Sequence, residues 1–194
     1  MINKLVMATN NKNKLREARE ILSPLGIEVI SQQEAGVDIE PVEDGVTFEE
    51  NAIIKAKAIY NAVKVPVIAD DSGLCVDALD GRPAVHSARY APKGQECEKI
   101  LDEMKNVPDD MRTAYFECCI AFIAGEHDIN SMSGRCYGTI TREKRGTDGF
   151  GYDPIFLYGD KTLAEMSPDE KNKISHRGSA MKKLYEYLEK KKGE

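Results

Sequence analysis

Short apolar runs alternate along the chain with stretches in which apolar residues recur every three or four positions, a pattern that predicts strands interleaved with amphipathic helices. Leu5, Val6, Met7 and Ala8 read as a first strand, followed by a polar stretch over residues 9–14. Leu15, Ala18, Ile21, Leu22 and Leu25 then share a helical face, with Pro24 and Gly26 as stop signals. Residues 28–31 read as a strand. Thr47 and Glu50 form a T-x-x-E capping box for a helix to about Val63, with Phe48, Ala52, Ala56, Ile59 or Tyr60, and Val63 inward. Residues 65–69 read as a strand that ends in Asp70-Asp71-Ser72-Gly73, and residues 95–104 as a helix.

Residues 113–124 form a long apolar strand, and residues 131–141 alternate, with Met132, Gly134, Cys136, Gly138 and Ile140 on one side. Their succession predicts an antiparallel hairpin. A glycine-rich loop over 146–153 precedes a strand at 155–158. Ser167-Pro168-Asp169-Glu170 is a helix start, and a last helix carries Met181, Leu184, Tyr185 and Leu188. The predicted fold class is α/β, with a mixed sheet flanked by helices.

At 194 residues, 41% hydrophobic and 31% charged, the chain is one ordinary domain or two small lobes. A chain of this length buries roughly 70% of its unfolded surface and needs neither disulfides nor a structural metal. The net charge of −6 argues against a non-specific binder of duplex nucleic acid. No apolar run approaches the roughly 18 residues of a membrane span. The opening residues lack the apolar core of a secretory signal, and five cysteines without C-x-x-C spacing fit free thiols in a reducing cytoplasm. His86 and His127 have no useful partner spacing, and the tail Lys190-Lys191-Lys192 suits a solvated helix end. A glycine-rich dinucleotide fingerprint and a Walker A motif are both absent.

Four stretches could carry chemistry. At the first strand-to-helix junction, Thr9, Asn10, Asn11, Lys12, Asn13 and Lys14 offer either an anion site on free helix N–H groups or an ordinary capped turn. Asp70 and Asp71 point to opposite sides of a strand unless the backbone turns. One could then hold a hard cation while the other fixes the loop; alternatively, both cap the Ser72-Gly73 turn. Glu43, in an acidic loop otherwise expected to be solvated, could join an Asp of the pair on Mg²⁺, which usually meets one or two carboxylates beside substrate phosphates. Gly149 and Gly151 flank Phe150, so that a flat ligand can approach its ring while Asp153 accepts from a base edge, or else a bulge packs these aromatics inward. Lys171, His176 and Arg177 form either a basic surface turn or contacts to a phosphate and a ligand acceptor.

Six stretches together resemble the inosine triphosphate pyrophosphatase family, the non-standard purine nucleoside triphosphate pyrophosphatases. They are T-N-N-K-N-K at 9–14, T-F-E-E-N-A-I-I-K-A at 47–56, A-D-D-S-G-L at 69–74, S-A-R-Y at 87–90, G-T-D-G-F-G-Y-D-P-I-F at 146–156 and E-K-N-K-I-S-H-R-G at 170–178. The resemblance implies hydrolysis of a purine nucleoside triphosphate between the α- and β-phosphorus atoms, Mg²⁺ as cofactor and a homodimer. It also implies a single two-lobed domain over residues 1–194, with an elongated mixed sheet and a central cleft. Carried over, Thr9, Asn10, Asn11, Lys12, Asn13, Lys14 and Lys55 hold the triphosphate. Glu43 and Asp71 bind Mg²⁺, Asp71 is also the proton acceptor, and Ser72 touches the substrate. Phe150, Gly151, Tyr152, Asp153, Lys171, His176 and Arg177 complete the nucleotide pocket. The chain departs from the family after Pro83, where Ala84 stands in place of the more usual glycine; a positive φ there would make alanine costly.

The residue chemistry agrees with this reading, since phosphoryl transfer needs neutralised charge and an aligned water more than covalent catalysis. Arg177 has donors and no acceptor, so it suits the 6-oxo group of hypoxanthine or xanthine and would face adenine's amino group donor to donor. A nucleotide sensor without turnover and a phosphatase releasing orthophosphate are the rival readings.

Overall fold

The computed structural model describes residues 2–193; Met1 and Glu194 lie outside the described residues. In chain order the elements are β1 (Lys4–Met7), α1 (Lys12–Leu22), β2 (Glu28–Ser31), α2 (Phe48–Val63), β3 (Val67–Val76), α3 (Glu96–Glu103), β4 (Thr113–Gly125) and β5 (Asp128–Ile140). They are followed by β6 (Phe156–Tyr158), β7 (Lys161–Thr162), α4 (Pro168–Ile174) and α5 (His176–Gly193). The strands form one sheet in the order β2-β1-β3-β4-β5-β6-β7. It is mixed: β1 runs parallel to β2 and β3, whereas β5, β6 and β7 pair antiparallel. A connection of two residues joins β4 to β5, which only an antiparallel pair can close.

The chain divides into two compact units. The first comprises Met1–Asp71, Cys118–Ser133 and Ser179–Glu194. Its strands are apolar on both faces, and the period of two sorts them into two cores. Leu5, Met7, Ile68 and Phe122 pack with Leu22 of α1 and Leu184 of α5. Val6, Val67, Ala69 and Ile123 pack with Ala52, Ala56 and Ile59 of α2. Burial on both faces is why these strands read as unbroken apolar runs.

The second unit comprises Ser72–Glu117 and Gly134–Gly178. Leu74, Val76, Phe116, Cys136 and Phe156 pack against Ile100 and Met104 around α3. The opposite face carries Arg135 and Tyr137, which are exposed, so β5 alternates as predicted. Each large apolar side chain fully buried here contributes roughly 1.5–3 kcal/mol. Arg112, buried among these elements, donates to the carbonyls of Met104, Val107, Ile140 and Thr141.

Two expectations change. The strand predicted to end at Ala69 continues to Val76, because Asp70 and Asp71 each have a cationic partner and Leu74 and Val76 must alternate into the second core. The Asp-Asp-Ser-Gly sequence is therefore extended backbone and not a turn. At the start of α2 only half of the capping box forms. Thr47 Oγ1 accepts the Glu50 N–H at 3.1 Å, but the Glu50 carboxylate accepts the Val46 N–H at 2.7 Å. At Ser167, read from the sequence as a helix start, a complete box forms with Glu170.

Candidate active site

Three successive residues of β3 are each engaged by a cation. Lys14 Nζ lies 2.8 Å from Asp70 Oδ2, Lys55 Nζ lies 3.1 Å from Asp71 Oδ1, and the Arg177 guanidinium donates to Ser72 Oγ at 3.2 Å. The chain passes from the first unit to the second between Asp71 and Ser72.

In the first unit, the Lys55 ammonium lies between two carboxylates, Asp71 and, also at 3.1 Å, Glu43. The acidic loop thus delivers Glu43 to the group that Asp71 contacts. Asn51, one helical turn before Lys55, is fully buried and donates from Nδ2 to Asp71 Oδ2 at 3.3 Å. Sequence reasoning did not single it out; the available signal was a polar residue on the inward stripe of α2. Burial acts against the Lys55 ammonium, but Asp71, Asp70 and Glu43 more than offset it and hold its pKa above the usual lysine value. Burial raises the Asp71 pKa, and Lys55 and Asn51 only partly oppose the rise. The two directions are compatible because desolvation penalises both charges while Lys55 has three carboxylates around it.

Asp70 and Asp71 do not share a cation among these ion pairs, as the alternation of strand side chains demands. No group of three metal-ligating side chains is preassembled among the described residues. Glu43 and Asp71 nevertheless supply two hard oxygen ligands meeting at one positive charge, a donor set that fits Mg²⁺ completed by substrate phosphates and waters.

At the β1–α1 junction the cap is already made. Asn11 Oδ1 accepts the N–H groups of Asn13 and Lys14, and Thr9 Oγ1 accepts that of Asn11. The free helix amides expected as an anion site are to that extent used by Asn11. Asn10, Lys12 and Asn13 are exposed beside them.

In the second unit, Phe150 is 65% exposed, with Lys171 Nζ 4.7 Å from its ring centroid. Buried Asp153 accepts the Phe150 N–H at 2.7 Å and pairs with Lys171 at 2.5 Å. Gly149, at φ +80°, makes room for this carboxylate, since a Cβ there would lie 2.2 Å from Asp153 Oδ2. The space expected for a flat ligand at Gly149 therefore belongs to Asp153, while Gly151 faces open space. Tyr152 is buried, and its hydroxyl donates to the Ser87 carbonyl at 2.8 Å. His176 stacks on Phe116 at 5.0 Å, and Ser175 Oγ accepts the Gly178 N–H at the start of α5, which sets His176 and Arg177 in its first turn. Ala84 adopts φ 50°, the left-handed conformation that glycine tolerates better. Ser87 Oγ braces it by donating to the Ala84 carbonyl at 2.6 Å and accepting the Leu74 N–H at 2.9 Å.

A separate cavity of about 670 Å³, lined by Ile30, Val37, Ala62 and Val63 among others, includes none of these residues. Lys4, Glu34 and Asp38 also line it, so its wall is polar as well as apolar.

The model of the Ham1 family matches residues 5–187. The dITP/XTP pyrophosphatase of Bacillus subtilis (strain 168) is 49% identical over 190 residues, covering 95% of this chain and 96% of that protein. The solved HAM1 protein of Coxiella burnetii is 43% identical with a TM-score of 0.90, covering 98% of this chain and 100% of that one. That of Staphylococcus aureus is 39% identical with a TM-score of 0.89, covering 97% and 99%. Matched in sequence and in fold over nearly its whole length, the chain belongs to the Ham1 family.

Proposed function

We propose that this chain is a Mg²⁺-dependent pyrophosphatase that converts non-standard purine nucleoside triphosphates (ITP, dITP and XTP) to the monophosphate and pyrophosphate, and so cleans the nucleotide pool. The observation that carries the reading is the cluster of the first unit in which Lys14 engages Asp70 and Lys55 engages Asp71 and Glu43. The Bacillus subtilis relative carries the name dITP/XTP pyrophosphatase, which supports the pyrophosphatase part of this reading.

Lys14 and Lys55 already face Asp70, Asp71 and Glu43, so this cluster has no surplus positive charge for a triphosphate. Held by Glu43 and Asp71, Mg²⁺ would supply the missing neutralisation. The lysines exchange carboxylate for phosphate oxygens, with Thr9, Asn10, Asn11, Lys12 and Asn13 as neighbouring donors. Asp71 accepts the proton of the water that attacks the α-phosphorus, a role helped by the raised proton affinity of its buried carboxyl. The new bond joins the water oxygen to the α-phosphorus; the α–β bridge breaks, and pyrophosphate leaves with the electron pair.

Phe150 offers the base an exposed ring, with Gly151, Tyr152, Asp153 and Lys171 setting the loop around it. His176 and Arg177 read the 6-oxo edge, and Ser72 contacts the substrate. Unpaired donors facing adenine would reject it by roughly 10⁴-fold or more.

A panel of ITP, XTP, dITP, GTP and ATP with Mg²⁺, scored for pyrophosphate, tests this reading; strong preference for the first three is expected, and equal rates on ATP would remove the role of Arg177. In ¹⁸O water the label should enter the monophosphate and not pyrophosphate. Orthophosphate as first product would favour the phosphatase reading, and binding without turnover the sensor. The protein acts as a cytoplasmic homodimer in this proposal, the first in keeping with its five buried free thiols and the second checked by light scattering.

A further inference from the structure

We propose that Asn51 is a positioning residue that holds Asp71 and the Glu43 loop in a single arrangement. The inference rests on the pyrophosphatase reading for its catalytic consequence, but the contacts are independent of it. Asn51 Oδ1 accepts the Gly45 N–H at 2.9 Å, and Nδ2 donates to Asp71 Oδ2 at 3.3 Å. A backbone N–H can only donate, so the first contact fixes which end of the amide faces Asp71. The two oxygens of Asp71 are then held separately, Oδ2 by Asn51 and Oδ1 by Lys55. One carboxylate is thereby fixed in rotation by two side chains one turn apart on α2.

The same amide tethers the loop that brings Glu43 to Lys55. Gly45 permits the close approach, because a Cβ there would lie 2.7 Å from Asn51 Oδ1. Glu50 accepts the next loop amide, that of Val46, at 2.7 Å. Adjacent residues of α2 thus clasp adjacent amides of the loop. An acceptor alone would serve that purpose. Asn51 is fully buried, and an amide there is tolerated only if both its ends are bonded. The second end is spent on Asp71.

The test compares the full-length wild type with Asn51→Ala and Asn51→Asp, using kinetics on ITP with Mg²⁺, calorimetric titration with MgCl₂ alone, and hydrogen exchange over residues 40–47. Loss of an outer partner of a metal-site carboxylate typically costs about 10- to 100-fold. Asn51→Ala should lower kcat by about that factor with KM nearly unchanged, weaken Mg²⁺ binding about tenfold, and speed exchange in the loop. Asn51→Asp keeps an acceptor for Gly45 but turns a carboxylate toward Asp71; kcat should fall while loop exchange stays at the wild-type rate. If the alanine variant does not fold, the aspartate variant decides alone. Wild-type kcat in either variant overturns the proposal, as does loop exchange unchanged in Asn51→Ala. Should the wild type release no pyrophosphate, the proposed function falls, whereas Mg²⁺ binding and loop exchange still decide the role of Asn51.

Discussion

The two units fix their polar groups in different ways. In the first, a sheet buried on both faces carries charged side chains paired with one another: Lys14 with Asp70, and Lys55 with Asp71 and Glu43. In the second, the sheet is covered on one face, and the buried polar side chains each bind backbone, Asp153 pairing with Lys171 as well. Asp153 holds the Phe150 amide, Ser87 joins the Leu74 amide to the Ala84 carbonyl, and Arg112 donates to four carbonyls. An ion pair can trade one partner for another ion, since charge still meets charge. A side chain bound to backbone cannot leave without the loop refolding. In the proposed function, the first arrangement would take the multiply charged phosphate chain and the second would offer a preformed surface to the neutral base.

The largest test of this contrast is Asp71→Asn. It should leave the protein folded, because Lys55 keeps Glu43, yet reduce pyrophosphate release by about 10²- to 10⁴-fold. Next comes Asp153→Ala, which strips both the Phe150 amide and Lys171 of an acceptor and should cost about 3 kcal/mol in denaturant unfolding. Glu43→Gln, on the exchangeable side, should cost under about 1 kcal/mol by the same measurement, since Lys55 keeps Asp71. A comparable loss in both variants would dissolve the distinction.

Ala84→Gly should stabilise the second unit by about 0.5–1 kcal/mol, relief of the left-handed alanine outweighing the added freedom of the unfolded chain. The smallest effect concerns α4. The Ser167 N–H and side chain, followed by Lys161, hold the Glu170 carboxyl down at about 2. A depressed carboxylate stabilises the folded state above its unfolded pKa. The contribution should therefore be complete above about pH 4.5 and be lost as pH falls through about 2, seen as faster exchange of the Lys171 amide that closes the first turn onto Ser167.

Much of this was legible along the chain. The range of β2 and the extents of α2 and α3 follow from periodicity and caps, and the alternation of β5 follows from a sheet with one covered face. The cost of Ala84 was readable too, given the expectation of glycine after Pro83. Other features were not. Whether Asp70-Asp71-Ser72-Gly73 turns or extends depends on Lys14 and Lys55, which lie far away in sequence. Gly149 looks like space for a ligand until the Asp153 carboxylate is found in it. Asn51 looks like an intruder on an apolar stripe until Gly45 and Asp71 are found at its two ends.

Periodicity, caps and motifs are local properties, so they already marked most strands and helices, the faces these bury and the family, the far end of β3 excepted. Only the tertiary structure decided which carboxylate meets which cation and how the Asn51 amide is oriented. Those choices depend on burial and on partners brought together from distant parts of the chain, where a few ångströms separate a costly unpaired charge from a stable pair.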